Sequence, residues 1–219
     1  MSEIPRTRAE RVEVRRSREA ILAAAEAHYA VKDTDPSMVQ LAQLAGVGVA
    51  TLYRRYASVD DVIRELHARL LGHFTRVETL VAARPTAWEA VVALVTGIID
   101  VLQEHPAIPQ LNRKMVALEN NDRFTSTWND QLDALIRAAQ TEGTLRSDVT
   151  ANDVTFAAFR IGSYANLPPD DAGRIIGRQV GIVLDGLRAD GSRHPLPGDP
   201  ITMQELQRIF RHEVDHPVE

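Results

Sequence analysis

A chain of 219 residues, 44% apolar and 25% charged, is long enough to bury a substantial core and lies outside the composition of disordered or fibrous polypeptides. It contains no cysteine, which excludes a disulfide framework and a thiolate nucleophile. The net charge of -5 is unevenly spread: residues 1–59 hold nine Lys or Arg against seven Asp or Glu, and residues 60–219 hold sixteen against twenty-three.

Positive charge therefore gathers near the N-terminus, where Arg6, Arg8, Arg11, Arg15, Arg16 and Arg18 are diluted only by Glu10 and Glu13. Such a cluster suits an arm or first helix passing near phosphates, and equally a solvated helix face. The start of the chain has no apolar leader-like stretch. The longest near-apolar run, residues 90–99, is interrupted by Thr96 and is too short to span a bilayer, so a cytoplasmic protein without a membrane partner is expected.

Apolar residues recur at helical spacing nearly everywhere, with no sustained two-residue alternation, which predicts an all-α fold. A first helix over about 14–31 buries Ile21, Leu22, Ala25 and Tyr29, and Asp33-Thr34-Asp35-Pro36 ends it. Ser37 and Gln40 are spaced as a capping box for a second helix running to about Ala45. Gly46 supplies a tight turn, and a third helix from about Gly48 carries Thr51 to Tyr56. Ser58 and Asp61 form another capping box, opening a long fourth helix whose stripe is Ile63, Leu66, Leu70, Phe74, Val77 and Val81.

Arg84-Pro85-Thr86 opens a central helix to about Glu104, apolar on several sides, which His105-Pro106 stops. Further helices are expected at about 108–118, 122–142, 151–166 and 170–189, with a Gly/Pro-rich loop over 191–200 and a weak last helix near 202–212.

The segment Ser37 to Tyr56 has the form of two short helices joined at a Gly turn. Such a unit can lay its second helix in a DNA major groove while the first crosses the backbone. The same pattern also fits an ordinary helical corner. Leu41, Leu44, Val47 and Leu52 suit its packing, leaving Val49, Ala50, Thr51, Tyr53, Arg54 and Arg55 as candidates to face DNA.

Here the sequence resembles the TetR family of transcriptional regulators. The resemblance rests on Ile21-Leu22-Ala23-Ala24-Ala25, Leu41-Ala42, Ala45-Gly46-Val47, Thr51-Leu52-Tyr53-Arg54-Arg55-Tyr56 and Ser58-Val59-Asp60-Asp61, covering about residues 15–65. His28, Gly48 and Val59 depart from the family's usual Phe or Tyr, Ser and Lys, and the last change removes a phosphate contact at the start of the fourth helix. The resemblance gives Tyr53 a hydroxyl contact to DNA and Tyr56 a place in the core.

It also implies an N-terminal three-helix DNA-binding domain over 1–57, followed by a larger helical ligand-binding and dimerisation domain over 58–219. The expected partners are a double-stranded, palindromic DNA operator, a second copy of the chain and a small, mostly apolar effector that releases the DNA. Phe74, Trp88, Leu94, Ile98, Leu102, Met115, Phe124 and Trp128 could wall the effector site, with His67, Asn112 and Arg160 orienting the ligand; each aromatic also suits ordinary core.

A homodimer is expected through the last two major helices. Ala158, Gly162 and Ala165 on one, and Gly173, Gly177 and Gly181 on the other, permit close approach. Ile176, Val180, Val183 and Leu187 add apolar area. Pocket lining or packing within the chain is the competing use of this stripe.

His212-Glu213-Val214-Asp215-His216 matches a zinc-protease pattern, but it lies three residues from the chain end in a weak polar helix with no third ligand after it, so no metal role is assigned. No catalytic residues and no cofactor are expected: the chain lacks a phosphate-binding Gly loop, a nucleophile with spaced base and orienter, and a paired-carboxylate motif. A helical ligand-binding or partner-binding dimer without sequence-specific DNA function is the alternative class.

Overall fold

The computed structural model describes residues 8–118, 126–189 and 194–202, together with 205 and 208. The helices are α1 (Arg8–Tyr29), α2 (Met38–Leu44), α3 (Val49–Tyr53), α4 (Val59–Leu71), α5 (Phe74–Ala82), α6 (Ala87–Glu104), α7 (Ile108–Leu118), α8 (Ser126–Thr141), α9 (Ala151–Gly162) and α10 (Pro169–Leu187), with a 3-10 turn at Ser163–Asn166. The fold is all-α; the described residues add one antiparallel bridge, Leu145 to Arg188. Most of the weak last helix and the whole His212 to His216 motif lie outside the described residues.

Local chemistry sets the boundaries. Ser37 Oγ accepts from Gln40 N while Gln40 Oε1 accepts from Ser37 N, completing the capping box before α2. At the far end Val47 N donates to Ala42 O and Gly46 N to Gln43 O, with Gly46 at φ 63°. This is the paired-bond helix stop that needs a left-handed residue, and it fixes the angle between α2 and α3.

The start of α4 is capped in the same manner: Ser58 Oγ accepts from Asp61 N at 3.3 Å, and Asp61 Oδ2 accepts from the backbone of Ala57 and Ser58 at 3.1 Å each. Ser58→Ala should therefore cost about 0.5–2 kcal/mol. In a chain of this size the thermal midpoint should fall by about 2–4 °C per kcal/mol, checked by calorimetry.

The single long fourth helix expected from the sequence is interrupted. At Gly72 and His73 the backbone stays right-handed, but the bonds tighten to three-residue closures, with Gly72 N donating to Arg69 O, His73 N to Leu70 O and Arg76 N to His73 O. The apolar stripe passes through this joint in phase, because one 3-10 turn preserves the facing of Leu70, Phe74 and Val77. Three other boundaries also shift. α3 ends at Tyr53, with Arg54 capping it, instead of continuing to Tyr56; α1 begins by Arg8; and the ninth helix gives way to 3-10 geometry after Gly162.

The core is continuous. Ile21, Leu22, Leu41 and Leu52 close the first three helices. Val62, Ile63, Leu66 and Leu70 of α4 join them to α6, whose Val91, Leu94, Val95, Ile98, Val101 and Leu102 are buried. α6 runs through the middle of the helical body with α5, α8 and α9 packed around it, as its apolarity on several sides requires. Among the described residues no single helix is long and apolar enough to cross a membrane.

Candidate nucleic-acid interface

The α2–turn–α3 unit presents one face outward. Leu52 is fully buried and anchors α3, while Tyr53 is 54% and Val49 37% exposed, with Ala50 and Arg54 also open to solvent. Thr51 is half-buried, and its Oγ1 accepts from Arg54 Nη2 at 2.8 Å, which holds the guanidinium along the exposed face. Arg55 is half-buried instead, and its Nε is enclosed without a hydrogen bond, so this side chain braces the unit more than it projects from it.

Tyr56 is buried, as the resemblance implied, with its hydroxyl beside Arg18 and Glu65. Burial first, then the Glu65 charge, pushes its phenol up to about 12. It stays neutral at any physiological pH.

Three contacts tie this unit to the rest of the chain. Arg18 Nε meets Glu65 Oε1, and Arg69 Nη1 meets Glu19 Oε2, each at 2.5 Å, pairing α1 with α4. From the other side α7 grips the α1–α2 turn. Lys114 Nζ lies 2.6 Å from Asp35 Oδ1 and over the Tyr29 ring at 5.5 Å, and Gln110 Nε2 donates to Asp33 O. Tyr29 donates its hydroxyl to Asp35, and burial followed by that carboxylate holds its phenol well above the usual tyrosine range. The third contact comes from the end of α6, where His105 Nδ1 lies 2.7 Å from Glu26 Oε1 of α1. None of these three contacts was foreseen, since each joins positions at least 47 residues apart.

The pattern of the C-terminal domain of SbtR-like transcriptional regulators, a TetR C-terminal class, matches residues 89–189. A TetR transcriptional regulator of Streptomyces coelicolor is 29% identical over 80% of this chain and 99% of its own, with a TM-score of 0.51. Residues 89–189 form a C-terminal domain of the TetR family of transcriptional regulators, and the chain as a whole is similar to a regulator of that family. The fold is shared with the ketosteroid regulator KstR2 of Mycobacterium tuberculosis (TM-score 0.65, 19% identity, 79% of this chain and 95% of that one). It is shared also with a TetR-family regulator of Haemophilus influenzae (0.52, 19%, 83% and 100%). No protein of curated function matches the chain in sequence. The proteins it is similar to are regulators of transcription, which are not enzymes.

Several residues expected around an effector come together in the core. Leu94, Ile98 and Leu102 of α6 and Met115 of α7 are buried, and His67 Nε2 of α4 lies 2.8 Å from Asn112 Oδ1 of α7. Phe74 stacks on Phe159, a residue the sequence reading passed over, with ring centroids 6.2 Å apart.

Two expectations are corrected. Trp88 sits at the opposite end of α6, under Arg188 at 4.3 Å, because fourteen residues of helix separate it from Leu102. Arg160 is exposed and cannot orient a buried ligand. Phe124 and the Trp128 side chain lie outside the described residues.

The small-residue stripe also divides. Ala158 and Gly162 of α9 are buried inside the chain; a Cβ on Gly162 would stand 2.4 Å from Leu102 Cδ1. Ile176 and Leu187 likewise turn into the protein's own core. These four are corrected from partner-facing to intrachain contacts. Ala165, Val180 and Val183 are half-buried. Gly173, Gly177 and Gly181 are exposed, with open space where a Cβ would stand, beside Ile182 at 59% exposure.

Proposed function

We propose that this regulator is a ligand-responsive repressor, with residues 1–57 binding a palindromic operator and residues 58–219 pairing two copies and holding a small, mostly apolar effector. The observation that carries the reading is the outward face of Val49, Ala50, Tyr53 and Arg54 on a helix-turn-helix set between capping boxes at Ser37 and Ser58, with the turn ahead of α2 gripped by α7. A repressor of this kind works on DNA in the cytoplasm.

The glycine face of α10, with Ile182, Val180 and Val183, supplies the self-complementary surface of a symmetric dimer, and Ala165 borders it. The effector lies between α4, α6 and α7, bounded by Phe74, Leu94, Ile98, Leu102 and Met115, with the His67–Asn112 pair as its polar anchor. α7 then couples the two activities: Asn112 meets the buried His67, while Gln110 and Lys114 hold the turn ahead of α2. A ligand that displaces α7 changes the placement of two recognition helices that must meet half-sites about 34–36 Å apart. It shifts that equilibrium only by its differential affinity for the two placements, about 1–3 kcal/mol in ordinary coupling.

Fluorescence anisotropy on duplexes from the DNA flanking the gene tests the reading. One duplex should bind more tightly than its scrambled counterpart, with affinity falling as salt rises. Apolar compounds that raise the thermal midpoint should also weaken that complex. Equal binding of native and scrambled duplexes would reduce the protein to a ligand-binding or partner-binding dimer.

A further inference from the structure

His73 stands at the joint between α4 and α5, and its ring lies against that of His105, which ends α6, with centroids 4.0 Å apart and planes at 38°. His105 in turn faces Glu26 of α1 through Nδ1. The joint that carries α4, the last turn of the central helix and the first helix of the DNA-binding unit therefore meet in one small polar cluster. We propose that His73, His105 and Glu26 form a proton-operated latch between the DNA-binding unit and the helical core, closed at neutral pH and opened when the His73 ring takes up a proton against the His105 ring. The latch rests on the DNA-binding reading only for its effect on operator affinity.

The surrounding charges define how it works. Around His73 lie His105, Arg76 of α5, Glu104 of α6 and Glu26 of α1; around His105 lie Glu26, His73 and Glu104. Glu104 is engaged by Arg76 Nη2 at 2.7 Å, and Glu26 by His105, so neither carboxylate is devoted to His73. One proton on His105 completes an ion pair that fastens α1 to α6. A proton on His73 sets a cation against the tilted His105 ring, with the Arg76 guanidinium near it. Burial, then His105, then Arg76 depress the basicity of His73 accordingly.

A histidine depressed in this way favours the packed arrangement while neutral. That preference is full above the ordinary imidazole value of about 6.5 and is lost as pH falls below it. Separation of the rings tilts α5 away from the end of α6, and with it the helix that sets the placement of α1 to α3. Recognition helices no longer held at fixed separation bind a two-half-site operator less tightly.

The test uses full-length protein and the fluorescein-labelled duplex that binds best at neutral pH. From about pH 7.5 to about pH 5.5 at constant ionic strength, wild-type affinity should fall by about tenfold, an ordinary coupling between two sites. His73→Gln, which keeps a polar side chain of similar reach but cannot titrate, should fall by less than about twofold under the same protonation logic. His105→Asn, which retains a donor toward Glu26, should behave likewise and serves should His73→Gln fail to fold. In parallel, histidine-ring NMR should show His73 titrating below the ordinary range and rising toward it in His105→Asn. Equal acid losses in wild type and variants, or two rings that titrate independently, would overturn the latch. Absence of any preferred duplex at neutral pH would instead overturn the operator reading, with the NMR titration still deciding whether the rings are coupled.

Discussion

Tyr53→Ala combined with Arg54→Ala is expected to weaken binding to the preferred duplex by about 2–6 kcal/mol, on the basis of about 1–3 kcal/mol for each side chain that reads a base edge. Both side chains are exposed, and neither belongs to the packing that Leu52 and Tyr56 supply, so the thermal midpoint should stay within the range of ordinary surface changes, about 0.5 kcal/mol either way. Binding to a scrambled duplex reports on phosphate contacts alone and should weaken far less. Thr51→Val is a useful companion, because it keeps the shape at that position while releasing Arg54 Nη2 from Thr51 Oγ1. If the hydroxyl fixes the guanidinium, the companion loses discrimination before it loses affinity. Unchanged operator affinity in the double variant would remove this face from DNA recognition, and an equal loss on both duplexes would reassign its residues to the phosphates. Anisotropy titrations at two salt concentrations separate these outcomes.

What could be read from the chain depended on the range over which each feature is written. Capping boxes and glycine turns are decided within four residues, and Ser37 with Gln40, Ser58 with Asp61, and the turn at Gly46 all stand as the spacing predicts. The joint at Gly72 was hidden because periodicity reports which face a residue shares, and one tightened turn leaves Leu70, Phe74 and Val77 on one face. His105 carried no signal either: beside Pro106 it reads as a helix stop, and nothing local announces that it meets Glu26 79 residues earlier. The buried apolar positions of α6 and α7 were legible, but the set expected around an effector ran too far along the helix and took in Trp88. Hydrophobicity alone has no coordinate along the axis. For the recognition helix, the resemblance identified the segment, whereas only the packed structure separates the outward Arg54 from the half-buried Arg55.

The glycines show the same limit, and they yield the second large effect. Spacing of four residues signals a close approach without saying whether the approaching backbone belongs to the same chain. At Gly162 the neighbour is Leu102 of the same chain, with its Cβ 2.9 Å from the place a new Cβ would take, too near the backbone of α6 to swing aside. Gly162→Val must force α9 off α6 along one of the two most heavily packed seams of the helical body. Overpacking of this kind costs about 1–3 kcal/mol or more, which lowers the thermal midpoint of a chain this size by about 2–4 °C for each kcal/mol. Gly177→Val, at an exposed site with nothing within 4 Å, strains no contact within the chain. Its effect is expected in the mass instead: sedimentation at micromolar concentration should show the wild type as a dimer and Gly177→Val shifted toward monomer, with the chain still folded. If Gly162→Val melted with the wild type, the α6–α9 seam would be looser than its geometry requires. If Gly177→Val left the mass and operator affinity untouched, the glycine face of α10 would not be the surface on which two copies of this regulator meet.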